Sequence, residues 1–248
     1  MTLFDDIGRN ALRFGLNLIA ALPAERYECV AAPAFRADTI YPGCRSIVVI
    51  GNGGAAFWRA FKAHAAQNRG WFERDNPLDD FTRELVEQEI VMPIRTAGVR
   101  CIAVYPFGGG RPTLNFMQLG TLAGLAGPSI IGVVVHPRFG PWIAFRAALL
   151  LDRDLDHPGD AIGFDPCPTC RVRSCISACP AAAVSFPSGW NIPKCLAHRV
   201  EAQPDCADRC HARVACVLGP DERYPDDELA YHQMRALRAM RPYYRKIE

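Results

Sequence analysis

The sequence predicts an α+β protein in two parts, a sheet domain with interleaved helices followed by a small cysteine-rich module. Three observations predict it. Short apolar, β-branched runs alternate with segments of helical period over residues 1–160. Half of the 248 residues are hydrophobic, enough to bury a substantial core. Eight of the eleven cysteines fall after residue 160.

The elements follow in order. Leu3 to Leu22 carries apolar residues at helical spacing and stops before Pro23, which predicts a first helix. RSIVVIG reads as a buried strand ending at Gly51, and AAFWRAFKAHAAQ as a helix. PLDDFTRELVEQEIV is a second helix in this stretch, with Asp79 and Asp80 in its first turn, where acidic side chains suit the helix dipole. RCIAVYP is a buried strand, FGGGRP a loop and TLNFMQLGTLAGLA a helix of small and apolar residues. SIIGVVVHP and PWIAFRAALLL read as strands around the turn PRFGP. DRDLDHPGDAIGFDP is a linker, residues 161–220 form the cysteine module, and a final helix from Asp226 to Met240 lies within residues 221–248. That helix is expected to pack back on the first domain.

The cysteines carry the chemistry. Cys167, Cys170, Cys175, Cys179 and Pro180 form C-x2-C-x4-C-x3-C-P. The bacterial ferredoxin run is C-x2-C-x2-C-x3-C-P, whose fourth cysteine ligates the other cluster when two are present. The middle spacer here is two residues longer. Cys195, Cys206, Cys210 and Cys216 bring the total to eight, the number that two [4Fe–4S] clusters need. The spacing predicts one cluster on Cys167, Cys170, Cys175 and Cys216, and a second on Cys179, Cys195, Cys206 and Cys210. Zinc prefers paired C-x2-C knuckles, of which only Cys167–Cys170 is present. Disulfides suit secreted chains, and the acidic start MTLFDDIGRN offers no secretion signal. Cys29, Cys44 and Cys101 stand alone and read as inert.

Other features bound the reading. A net charge of +2 leaves no footprint for bulk nucleic-acid binding. No apolar run approaches the ~18 residues of a membrane span. A protein of a reducing, cytoplasmic compartment is expected. VVIGNGG reads as a tight strand-to-helix turn rather than a dinucleotide site. His136, Arg138, Phe139, Trp142 and Arg146 cluster around the PRFGP turn, which is either a braced hairpin or a ligand site. Arg146 inside an apolar strand points to an anionic partner. Arg171, Arg173, Arg209 and Arg213 surround the cysteines and suit an acidic electron donor such as a ferredoxin or flavodoxin.

The block HPRFGPWIAFRAALLL resembles the CblC-type cobalamin-processing proteins, as do NPLDDFTRELVEQ and RYPDDELAYHQMRAL. The cysteine module looks instead like that of epoxyqueuosine reductases and reductive dehalogenases, and LAGLAG with VVVHPRFGPW echoes their corrinoid region. The combined resemblance implies a nitroreductase-like corrinoid domain joined to a ferredoxin-like module with two clusters. It implies corrin contacts at Leu114, Asn115, Phe116, Met117, Gln118, Val134 and Phe145, with His136, Arg138, Trp142 and Arg146 close by. The implied activity is electron delivery to a bound cobalamin, reducing it or removing its upper ligand. The D-x-H-x-x-G signature, the Asp general acid of epoxyqueuosine reductases and their tRNA-binding repeats are missing. A ferredoxin-type carrier without corrinoid, or a reductase of another small substrate or a tRNA base, are the alternatives.

Overall fold

A computed structural model describes residues 2–107, 113–155, 163–201 and 206–244. The chain divides into two compact units, one of residues 1–126 and 144–163, the other of residues 127–143 and 164–248. Most of the FGGGRP loop and the middle of the expected linker lie outside the described residues.

The first unit runs α1 (Leu3–Leu12), β1 (Leu18–Pro23), α2 (Ala24–Glu28), α3 (Ala37–Ile40), β2 (Ser46–Gly53), α4 (Ala56–Gln67), α5 (Pro77–Val86), α6 (Met92–Thr96), β3 (Cys101–Val104), α7 (Phe116–Leu122) and β4 (Ile143–Leu151). A π-helical turn, Glu87–Val91, joins α5 to α6. The strands form one sheet in the order β1-β2-β4-β3, with β1 antiparallel to β2 and β3 antiparallel to β4. This is an α+β fold. Every residue of β2 is buried, and Ala147 to Leu151 of β4 are fully so. Both strands are covered on two faces, which is why they read as continuous apolar runs rather than alternating ones.

The expected helix from Leu3 to Leu22 is corrected to a helix and a strand. Thr2 caps α1 with a capping box to Asp5. Gly15 then takes a left-handed turn (φ 80°), where a side chain would strike the backbone of Ala56 and Phe57. Leu18 to Pro23 pair with Gly51 to Ser46 of β2. The apolar spacing fits both periods, and pairing with a fully buried strand decides it. The VVIGNGG turn is closed by Asn17, whose carboxamide accepts from the Gly53 N–H (2.7 Å) and donates to its carbonyl (3.0 Å).

The second unit runs α8 (Ser174–Ser177), β5 (Val184–Ser185), β6 (Gly189–Trp190), α9 (Ile192–Glu201), α10 (His211–Val214) and α11 (Asp226–Tyr244), with β5 and β6 a small antiparallel hairpin. α11 packs on α9. The strand expected over SIIGVVVHP does not form, and only isolated bridges, Gly127–Val135 and His136–Gly140, occur there. Local bonds compete with a ladder: the Ser129 hydroxyl engages the Val133 carbonyl and accepts from the Ile131 N–H (3.3 Å). Gly132 turns left-handed (φ 79°) against the Trp190 ring. Ile130 and Ile131 are buried with Val184 and Ala212, and Cys167, Cys175, Cys179 and Cys210 pack on them.

Candidate cluster and corrinoid sites

The second unit gathers all eight late cysteines. Cys170 closes a short turn onto Cys167 (N–H to carbonyl, 3.3 Å). The two extra residues of the first cysteine run are absorbed at Arg173, whose left-handed backbone (φ 44°) starts α8 and so aims Cys175. The Ser174 hydroxyl bonds the Ala215 carbonyl, which draws the Cys216 segment to α8. Cys210 caps α10. The Cys179 thiol accepts a backbone N–H from Ala183 (3.4 Å).

Electrostatics sort these thiols into two sets. Burial pushes the Cys175 thiol above its ordinary value, and the thiols acting on it are Cys216, Cys167 and Cys170. Cys216 is likewise raised by burial, then by Cys167 and Cys170. Cys206 is pushed up to about 11 by burial, with Cys210, Cys195 and Cys179 adding to it. Cys210 is raised by burial and by Cys195 and Cys179. Cys167, Cys170, Cys175 and Cys216 therefore form one neighbourhood, and Cys179, Cys195, Cys206 and Cys210 another. Among the described residues, no three His, Cys, Asp or Glu side chains converge as closely as a single metal ion requires. The two findings concern different distances, since thiols influence one another well beyond the reach of a shared ion.

In the first unit, the residues that the resemblance places on a corrin divide by burial. Leu114 and Phe116 are buried on either side of Asn115. Asn115 caps α7, accepting from the Gln118 N–H (3.1 Å), and its own N–H donates to the Tyr27 hydroxyl (2.8 Å). Met117 is 50% exposed and Val30 49%, and Gln118 donates to the Val30 carbonyl (3.3 Å). Gly120 of α7 does not lie open. The Phe145 ring lies on Gly120 so closely that a β-carbon there would fall 2.0 Å from it. Arg146 is 6% exposed, donates from Nε to the Asn52 carboxamide (2.7 Å) and stacks on Phe57 (5.0 Å). Among the described residues no carboxylate pairs with Arg146; its partners are a neutral amide and a ring face, and its Nη2 meets no acceptor there.

In the second unit, the HPRFG block braces its own turn. His136 Nδ1 accepts from the N–H groups of Arg138 (3.0 Å) and Phe139 (3.2 Å). Arg138 donates to Glu222 (2.9 Å). Trp142 is fully buried against Tyr224 and Leu229, and Arg213 stacks on both rings (5.0 Å to each) while donating to the Pro141 carbonyl. A β-carbon on Gly127 would strike the Phe164 carbonyl, and one on Gly140 the Leu218 carbonyl. Val134 is half-buried. His136, Arg138 and Trp142 brace the turn, and the buried Trp142 Nε1 meets no acceptor among the described residues.

Because Nδ1 accepts two N–H groups, His136 is neutral in the fold. Burial, and then the Arg138 charge, hold its pKa below the ordinary value of 6.5. The unfolded chain therefore takes up the proton first as pH falls. Stability that is complete above about pH 6.5 is lost as pH drops towards the folded value. His136→Asn keeps an acceptor and cannot titrate, so its melting temperature should fall less than that of the native chain between pH 7 and 5.5. Equal acid slopes would refute this role.

Sequence reading did not single out Ser174, Arg199 or Gln233. Arg199 is buried on α9 and donates to the Gln233 carbonyl (2.8 Å), while the Gln233 carboxamide donates to the carbonyls of Cys206 (3.0 Å) and Arg209 (3.3 Å). Only the position of Arg199 one turn after Cys195 signals this.

No family model matches the chain, and no curated protein matches it by sequence. Solved structures do. An epoxyqueuosine reductase with a tRNA-Tyr epoxyqueuosine-modified stem loop matches over 91% of this chain and 68% of its own (TM-score 0.60, 14% identity). The C. elegans B12-trafficking protein CblC matches over 93% of this chain and 91% of its own (TM-score 0.60, 14% identity). The catabolic reductive dehalogenase NpRdhA, in complex with 3-bromo-4-hydroxybenzoic acid, matches over 94% of this chain and 34% of its own (TM-score 0.55, 16% identity). The chain spans about two thirds of the epoxyqueuosine reductases and about one third of the dehalogenase. It shares the fold common to these three groups of proteins.

Proposed function

We propose that this chain is an iron–sulfur oxidoreductase that holds two [4Fe–4S] clusters and delivers electrons to a bound cobalamin, reducing it or removing its upper ligand. The observation that carries the reading is the sorting of eight thiols into two sets of four within one unit. That is the ligand demand of two cubanes. A cubane spreads its thiolates over its own width, so close convergence of three of them is not required. When bound, the clusters supply one-electron transfer and the cobalt accepts it. The thiols are half-buried, which limits the approach of water, and the Cys179 sulfur accepts the Ala183 N–H (3.4 Å).

The likeness in fold to a B12-trafficking protein supports the corrinoid half of the reading. The surface proposed for a corrin is the start of α7, with Met117 exposed beside Asn115 and Gln118 and the Phe145 ring lying on Gly120. Met117 and Val30 offer exposed apolar surface there, and the Asn115 and Gln118 amides are polar groups that could fix orientation. A reduced ferredoxin or flavodoxin would supply the electrons, with the exposed Arg171 within reach of an acidic partner.

Anaerobic reconstitution with iron and sulfide, followed by cobalamin titration, tests the reading. The bound cobalamin should shift to a base-off spectrum, and the reduced protein should carry it towards cob(I)alamin. Met117→Glu places a charge on the apolar face. It should weaken cobalamin binding by about tenfold, equivalent to about 1.4 kcal/mol, without changing iron content. A chain with full clusters that leaves the cobalamin spectrum untouched is a ferredoxin-type carrier. The tRNA stem loop held by one protein of this fold favours an RNA-base reductase as the second reading, and salt-dependent tRNA affinity would select it.

A further inference from the structure

The two thiol sets differ in the cations around them. Arg199 is 7% exposed and sits on α9 one turn beyond Cys195. Its Nη2 is held by the Gln233 carbonyl (2.8 Å), and Met240 Sδ lies 3.1 Å from Nη1. The same Gln233 clamps the Cys206 and Arg209 carbonyls through its carboxamide. One residue of α11 thus fixes both a buried guanidinium and the loop that presents Cys206 and Cys210. Arg213 adds a second, part-buried guanidinium whose charge reaches Cys210. Near the first set, Arg223, which acts on Cys216, is exposed, and Arg173, between Cys170 and Cys175, is half-buried and stacked on Phe186 (3.7 Å); neither is as buried as Arg199. Solvent and salt screen an exposed charge far more than a buried one.

We infer that Arg199, held by Gln233, sets the reduction potential of the cluster on Cys179, Cys195, Cys206 and Cys210 and makes it the stronger electron acceptor of the two. The inference rests on the cluster reading above. In the step concerned, one electron from a reduced ferredoxin-class donor takes the cluster core from 2+ to 1+. No bond forms or breaks and no proton moves. The added negative charge is stabilised by a cation nearby in a poorly screened site. Arg199 touches no reacting atom and acts as a tuning and positioning residue.

The test is a redox titration of the anaerobically reconstituted full chain, followed by electron paramagnetic resonance. Arg199→Gln should make reduction of one cluster at least tenfold less favourable, a fall of about 59 mV for a one-electron couple, and leave the other unchanged. Arg199→Lys keeps the charge and should recover most of the loss. Met240→Glu leaves Arg199 in place but sets a carboxylate against it, and should lower the same midpoint. This variant decides the matter if Arg199→Gln fails to hold its iron. Unchanged midpoints in both Arg199→Gln and Met240→Glu overturn the inference, as does an equal fall at both clusters or a fall as deep in Arg199→Lys. Native protein that binds zinc and no iron would instead overturn the cluster reading, and the iron assay separates that failure from the first.

Discussion

Cys216→Ala is expected to lose about four of about eight irons per chain, and Cys210→Ala the other four. The partition of the thiols makes the doubles more telling. Cys167→Ala with Cys216→Ala should cost no more iron than either alone, because both thiols serve one neighbourhood. Cys210→Ala with Cys216→Ala should leave almost none, because each strips a different set. Cys175 and Cys179 lie four residues apart yet belong to different sets, so their double should also empty the protein. Iron and acid-labile sulfide, assayed in protein prepared anaerobically, read the result. A Cys175, Cys179 double that keeps half its iron would put both thiols on one cluster and defeat the partition.

Trp142→Ala is expected to destabilise the second unit by about 3–5 kcal/mol, the usual cost of a cavity left by a buried aromatic. The ring is fully buried against Tyr224 and Leu229, and Arg213 stacks on it. Its removal also takes one of two ring faces from that guanidinium, which keeps Tyr224 and the Pro141 carbonyl. Because Arg213 acts on Cys210, the loss should reach the second thiol set as faster iron release on warming. Trp142→Phe should retain most of the stability. The melting temperature and the rate of iron loss measure both effects. A Trp142→Ala protein that melts normally and loses only cobalamin binding would place the residue in a ligand site instead.

The sequence by itself determined the cysteine spacing on which the proposed chemistry rests. Cysteine spacing is local, and a C-x2-C turn or a proline after the fourth cysteine constrains thiols whatever surrounds them. The two sets of four could therefore be named from spacing, although the tie that brings Cys216 to α8 could not. The buried strands β2 and β4 and the helix α4 were also legible, because an apolar run of strand length or helical period buries itself in only a few ways.

Tertiary structure decided what long-range partners alone can set. The stretch after Gly15 has a spacing that suits a helix, and it became a strand because β2 offered it a partner. SIIGVVVHP has the composition of a strand, and Ser129, Gly132 and the cysteine core pulled it into a loop. The helix expected over TLNFMQLGTLAGLA ends at Leu122, and the Phe145 ring fills the space at Gly120. Arg146 found an amide and Arg138 a carboxylate 84 positions away. Arg199 and Gln233 lie 34 positions apart and meet only because α9 packs on α11. Which side chain occupies a gap, or answers a buried charge, depends on packing between distant segments, and local periodicity carries no record of it.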